Sequence, residues 1–171
     1  MKIVFLLRHA KSSWDHGLLS DHERPLAPRG VNAASVVGAH MREAGYLPDL
    51  VLCSTATRTR ETLELVLSEL DAEAHVEWDE GIYLAAPEHL LEVLQTAPDT
   101  AESILMVGHN PGTGMLADAL CGEGPTDQLR LMATKFPTAG LAIIEFRVDR
   151  WEEVRVGCGT LREFTRPRDI T

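Results

Sequence analysis

Met1-Lys2-Ile3-Val4-Phe5-Leu6-Leu7-Arg8-His9 is the stretch from which the fold can be read. An apolar run ends abruptly on a cation and an imidazole. A run without polar alternation reads as a strand covered on both faces, as in a parallel sheet. In such sheets, ligands bind in the crevice beyond the carboxyl ends of the strands. Arg8 and His9 are therefore expected at a functional edge. A nitrogen nucleophile beside a fixed positive charge in that place suggests phosphoryl chemistry.

The pattern repeats outward from this strand, Lys2–Leu7. A polar stretch, Lys11 to Gly30, is long for a structureless connection, and such loops are often functional. Ala34, Val37, Met41 and Ala44 predict a helix over Val31–Ala44, stopped by Gly45. Leu50–Cys53 is a second strand, and a helix starting near Arg58 buries Leu63, Val66, Leu67 and Leu70. A short strand at His75–Trp78 and a loop at Asp79–Ala86 follow. Pro87 then opens a third helix with Leu90, Leu91, Leu94 and Ala97 inward.

Ser103–Val107 is another buried strand. It runs into Gly108-His109-Asn110-Pro111-Gly112 and a helix to about Leu120. Gly122–Thr126 reads as a loop, and the stretch to Phe136 is ambiguous. Leu141–Val148 and Trp151–Gly157 alternate around Asp149-Arg150 and predict a hairpin. Leu161–Thr171 has no clear periodicity. Strands alternating with helices predict an α/β fold: a mostly parallel central sheet with helices on both faces and hairpin strands at the C-terminal end. One domain spanning residues 1–171 is expected, without repeats or a linker.

The chain has 171 residues, 44% of them hydrophobic and 25% charged, which suits an ordinary globular core. No apolar run is long enough for a membrane span, and the N-terminus lacks a signal-peptide layout, so a cytoplasmic protein is expected. A net charge of −10 argues against a nucleic-acid partner. An anionic substrate must then be drawn in by a local basic pocket. Cys53, Cys121 and Cys158 are widely spaced and odd in number, and read as reduced thiols. His16, His22, His40, His75 and His89 have no metal-ligand spacing and read as surface residues.

Three strand ends carry polar residues of one kind. The first delivers Arg8 and His9, the second Ser54 and then Arg58, and the Ser103–Val107 strand delivers His109. Parallel strands would bring them to one edge, forming a pocket for a doubly charged phosphoryl group. Arginine suits such a pocket, because its planar fork grips phosphate oxygens in pairs and keeps its charge. Helix first turns nearby would add N–H groups with positive dipole character.

These residues match a known family. Leu7-Arg8-His9-Ala10 resembles the signature of the histidine phosphatase superfamily, which includes the phosphoglycerate mutases; the usual glycine after the histidine is replaced by Ala10. Leu52 to Thr62, with Ser54, Arg58 and Thr62, looks like the family's second element, and Val107-Gly108-His109-Asn110-Pro111 like its second histidine element. Arg24-Pro25-Leu26, Arg29-Gly30 and the Pro-Thr-Ala-Gly at Pro137–Gly140 look more like the SixA-type branch, which includes protein phosphohistidine phosphatases.

The resemblance implies a three-layer, phosphoglycerate mutase-like sandwich. It implies that His9 is the nucleophile, forming a phosphohistidine that water hydrolyses. Its other ring nitrogen would be fixed by a backbone carbonyl. Arg8, Arg58 and His109 would hold the phosphoryl oxygens, with no metal or other cofactor required. Lys11 and Arg24 are candidate substrate contacts, although Arg24 is equally read as pairing with Asp21 or Glu23. Trp14 either covers the core edge or contacts substrate.

Two departures stand out. Where many relatives carry Asn six residues after the nucleophile, this chain has Asp15. The general acid is not marked by a motif; Glu80 or Asp79 lies in the right region. A phosphate ester needs such an acid, whereas a phosphohistidine can leave as neutral imidazole. The expected substrate is thus phosphohistidine on a protein. The alternatives are a small phosphate ester, with Glu80 or Asp79 as acid, and a phosphate-binding module without turnover.

Overall fold

The computed structural model describes residues 1–15 and 17–171. His16, expected at the surface, lies outside the described residues.

The first apolar run forms β1, Lys2–Arg8. A long loop leads to α1 (Pro28–Ala44), followed by β2 (Leu50–Cys53), α2 (Thr57–Leu70) and β3 (His75–Trp78). Next come α3 (Pro87–Gln95), β4 (Ser103–Gly108), α4 (Gly112–Leu120) and the short β5 (Cys121–Glu123). The chain ends with α5 (Thr126–Thr134), β6 (Leu141–Phe146), β7 (Gly159–Thr165) and α6 (Pro167–Ile170).

The strands form one seven-stranded sheet in the order β3-β2-β4-β1-β6-β7-β5. β3, β2, β4 and β1 are mutually parallel, β6 is antiparallel to both β1 and β7, and β5 runs parallel to β7.

Alternation within β1 explains the layers. Phe5 and Leu7 join Val51, Cys53, Leu105 and Val107 beneath α1 and α2, packing on Ala34, Val37, Met41, Leu63 and Val66. Val4 and Leu6 point the other way, with Leu52, Ile104 and Met106, onto Leu90, Leu94, Leu116 and Leu120. Both faces are therefore covered, which is why β1 reads as an unbroken apolar run. The three-layer α/β fold is as the sequence implied. Among the described residues, no helix is long and apolar enough to cross a membrane.

The differences lie at element boundaries and in the C-terminal third. α1 starts at Pro28, three residues earlier than its apolar spacing indicates, because proline is well suited to a first helical position. The ambiguous stretch before Phe136 is α5, and part of the expected Gly122–Thr126 loop is β5. The loop at Asp79–Ala86 contains a 3-10 turn, Glu80–Ile82.

The expected second hairpin strand, Trp151–Gly157, is not a strand. Trp151 opens a 3-10 turn; its indole is buried and donates to the Ala101 carbonyl at 2.7 Å, while its backbone N–H donates to Asp99 at 2.8 Å. Anchoring that ring takes precedence over the strand-like alternation. The hairpin partner of β6 is β7, which starts at Gly159 and runs into the stretch Leu161–Thr171 that has no clear periodicity.

Candidate active site

β1, β2 and β4 end together, with Arg8 opposite Gly108 and Cys53 opposite Val107. Just beyond this edge, the His9 N–H donates to the Gly108 carbonyl and the Ser54 N–H to the Val107 carbonyl, both at 3.1 Å. Ala139, at φ +58, donates to the carbonyls of Arg8 and His9. The Pro137–Gly140 turn thus clamps the Arg8-His9 pair from the side opposite β4.

Each floor residue is held separately. His9 Nδ1 lies 2.7 Å from the Ala10 carbonyl oxygen, so Nδ1 carries the proton and Nε2 keeps its lone pair. The Ala10 N–H donates to Thr62 Oγ1, and that hydroxyl donates to the Arg58 carbonyl in the first turn of α2. Ala10 is absent from the positive-φ positions, so its methyl adds no backbone strain in place of glycine. Arg8 Nη1 and Asn110 Nδ2 both donate to the Phe136 carbonyl, at 3.0 and 2.8 Å. His109 Nε2 lies 2.7 Å from Ser54 Oγ, and its ring centroid is 5.3 Å from that of His9.

These groups line a pocket of about 230 Å³ with Arg8, His9, Arg58 and His109 on its floor. Lys11, Trp14, Arg24 and Leu84 stand around it. Two glycines permit the tight packing nearby. A Cβ on Gly30 would lie 2.1 Å from the Lys11 carbonyl oxygen, and one on Gly112 would lie 2.0 Å from that of Ala85.

Residues 4–82 match the family model of the histidine phosphatase superfamily (branch 1). An uncharacterised protein of Mycobacterium tuberculosis, Rv1276c, is 38% identical over 164 residues, covering 95% of this chain and 100% of that protein. A solved structure assigned as phosphohistidine phosphatase SixA from Agrobacterium tumefaciens superposes with a TM-score of 0.81 at 28% identity, covering 96% of this chain and 97% of the other. A second such SixA structure, from Nakamurella multipartitia, gives 0.81 and 28%, covering 97% and 96%. The chain belongs to the histidine phosphatase superfamily, on its SixA-type branch.

In this histidine phosphatase the electrostatics of the floor are dominated by burial. His9 is pushed down to about 4, first by desolvation and then by Arg58, Arg8 and Arg24, against the raising effect of its bond to Ala10. The neighbouring arginines are thus a smaller cause than burial. His109 falls to about 3 through burial, then through His9 and Arg58. Both imidazoles are neutral at pH 7. Cys53 is pushed up to about 12 by burial, which makes it an inert core thiol.

The other sequence candidates fare differently. Lys11 is exposed on the pocket rim. Arg24 lines the pocket, but its nitrogens serve the loop: Nε donates to the Ser13 carbonyl, Nη2 to Ser12 Oγ and Nη1 to Asp21. Its guanidinium also stacks on Trp14, 3.3 Å from the ring centroid. Glu80 is not brought to the pocket; it is exposed on its 3-10 turn, and Asp79 caps that turn by accepting from the Gly81 N–H at 2.8 Å. Asp15 is exposed and is not among the lining residues.

The sequence offered Asp21 as a partner of Arg24, and that pair is present; its second contact, with Arg58, was not foreseen. Asp21 Oδ2 lies 3.0 Å from Arg58 Nη2, and its Oδ1 lies 2.9 Å from Arg24 Nη1. Tyr83 donates its hydroxyl to the same carboxylate and packs edge-on against His109 at 5.2 Å. The hydrogen bond from Tyr83 holds Asp21 far below the usual carboxylate range; Arg58 and Arg24 add to this against the effect of burial. The three-residue spacing of Asp21 and Arg24 was the available signal for the pair. Nothing in the sequence marked Tyr83.

Proposed function

We propose that this protein is a phosphatase that works through a phosphohistidine on His9, and that its substrate is phosphohistidine on a protein. The observation that carries the reading is the bond from His9 Nδ1 to the Ala10 carbonyl, in a pocket whose lining, among the described residues, includes no carboxylate. That bond leaves Nε2 unprotonated for attack. Nε2 forms a bond to phosphorus as the bond to the leaving group breaks, with Arg8, Arg58 and His109 around the phosphoryl oxygens. Water then attacks phospho-His9, releasing phosphate and restoring the imidazole. The charge stabilisation comes from fixed cations and N–H groups, so the scheme needs no metal.

The leaving group decides the substrate class. An alkoxide leaves poorly without a proton. His109 is neutral at pH 7, Asp21 is held ionised, and Glu80 is outside the pocket, so none of them suits that role. A phosphohistidine carries its own ring proton and leaves as neutral imidazole. The reading therefore favours a P–N bond over an ester.

The test is a comparison of a phosphohistidine-bearing phosphotransfer protein with a panel of phosphate esters, without added metal. The phosphoprotein should be hydrolysed with the higher kcat/KM, and acid-labile, alkali-stable phosphate should be trapped on His9. A clear preference for an ester would overturn the substrate class. Stable phosphoserine in the trapped enzyme would overturn the mechanism.

A further inference from the structure

Asp21 has no part in the scheme above, yet among the described residues it is the carboxylate that contacts both Arg24 and Arg58. Arg58 is 4% exposed, so its guanidinium cannot rely on bulk water. Two of its nitrogens go to one residue: Nη1 donates to the Asp21 carbonyl at 2.7 Å and Nη2 to the Asp21 carboxylate at 3.0 Å. A planar fork gripped at two points has a fixed plane, and its remaining N–H groups have fixed directions. The other oxygen of Asp21 takes Arg24, whose remaining nitrogens hold Ser12 and Ser13. One carboxylate therefore joins α2, which carries Arg58, to the loop that walls the pocket.

We infer that Asp21 is a positioning residue of the phosphate pocket, orienting the Arg58 guanidinium toward the phosphoryl group and fixing the Arg24 loop beside it. This rests on the functional reading above and adds a residue to the same site. Arg8, Arg24 and Arg58 all line the pocket, and the Arg8 pKa is lowered first by burial and then by Arg58. Without a carboxylate between them, Arg24 and Arg58 would repel each other and swing toward solvent. Tyr83 completes the arrangement: its hydroxyl donates to Asp21 while its ring rests against His109. The phosphate-holding arginine and the second histidine thus share one brace.

The experiment uses the intact chain and the phosphate mimic tungstate. Calorimetry gives its Kd for the parent, Asp21→Asn and Tyr83→Phe, and steady-state assays on an aryl phosphate give KM and kcat. Asp21→Asn should weaken tungstate binding about tenfold and raise KM by a similar factor, with kcat changed far less. Tyr83→Phe should weaken binding two- to threefold, at roughly the size expected for one lost hydrogen bond. Circular dichroism checks that both variants are folded; if Asp21→Asn is not, unchanged binding in Tyr83→Phe overturns the inference.

Equal or tighter tungstate binding in Asp21→Asn would also overturn it, since Asp21 would then be competing with the anion for Arg58. So would a large loss of kcat with binding intact, which would make Asp21 a proton donor. Tungstate binding requires no turnover. A parent chain that binds tungstate but hydrolyses nothing would refute the proposed function and leave this inference standing.

Discussion

The floor and the wall of the pocket are built in different ways. The floor is carried by the ends of three parallel strands, and its residues are deeply buried: His9 is 7% exposed and His109 2%. Backbone register places them, through Arg8 opposite Gly108 and Cys53 opposite Val107. Among the described residues, the wall between Lys11 and Leu26 has a single isolated bridge, Ser12 to Leu26. It is held instead by side chains, with the Leu26 N–H bonded to Glu61 and Arg24 bonded to Ser12, Ser13 and Asp21. Trp14 on this wall is 73% exposed. In the proposed mechanism the chemistry sits on the strand ends, and contact with a substrate would fall to the loop.

Substitutions on the floor should therefore act on rate. His9→Ala should abolish turnover, by about 10⁴-fold or more, because the covalent step has no other nucleophile. Activity on an aryl phosphate and loss of the trapped phosphoenzyme check this; surviving activity would break the contrast at its strongest point. Arg58→Lys keeps the charge but loses the fork, and should lower kcat/KM about 10²-fold. A loss of under threefold would show that charge alone suffices.

The floor should also set the acid limit of the fold. His9 titrates near 6.5 when unfolded and near 4 when folded, so the unfolded chain binds the proton first. Above pH 6.5 the group contributes nothing to this linkage. As pH falls through that window stability is lost, reaching on the order of 3 kcal/mol below pH 4 at about 1.4 kcal/mol per unit. Against a total of roughly 5–15 kcal/mol, that is a large share. Urea unfolding of the parent and His9→Ala at pH 7, 5.5 and 4 measures it. The variant should lose less stability across the series, and parallel losses would show that His9 is not the proton acceptor.

The same contrast explains what the sequence made legible. A buried strand advertises itself as an apolar run, and polar residues placed directly after such runs stand out. Arg8, His9, Ser54, Arg58 and His109 are therefore placed at one edge by the sequence alone. The wall has no period, because its order comes from side-chain bonds across the fold; Asp21 reaches Arg58, 37 residues away, and meets Tyr83, 62 residues away. At the C-terminal end, β7 was lost to a decoy: the 151–157 segment alternates like a strand, but the buried Trp151 ring commits it to a turn.

The smallest expected effect tests the boundary between the two regions. Glu80 lies on neither floor nor wall; it is exposed on a turn whose cap is Asp79, and it is not among the residues lining the pocket. Glu80→Gln should change kcat/KM by less than about twofold on an ester and on a phosphohistidine protein alike, since an exposed carboxylate off the pocket lining is well screened. The informative quantity is the ratio between the two substrates. If the ester reaction slows tenfold while the phosphohistidine reaction does not, the turn must swing Glu80 over the pocket during ester cleavage. That result would make the Glu80 turn, not the leaving group, the source of the missing proton. An unchanged ratio leaves the P–N bond as the better fit to a pocket whose Arg58-bound carboxylate, Asp21, is already held between two arginines.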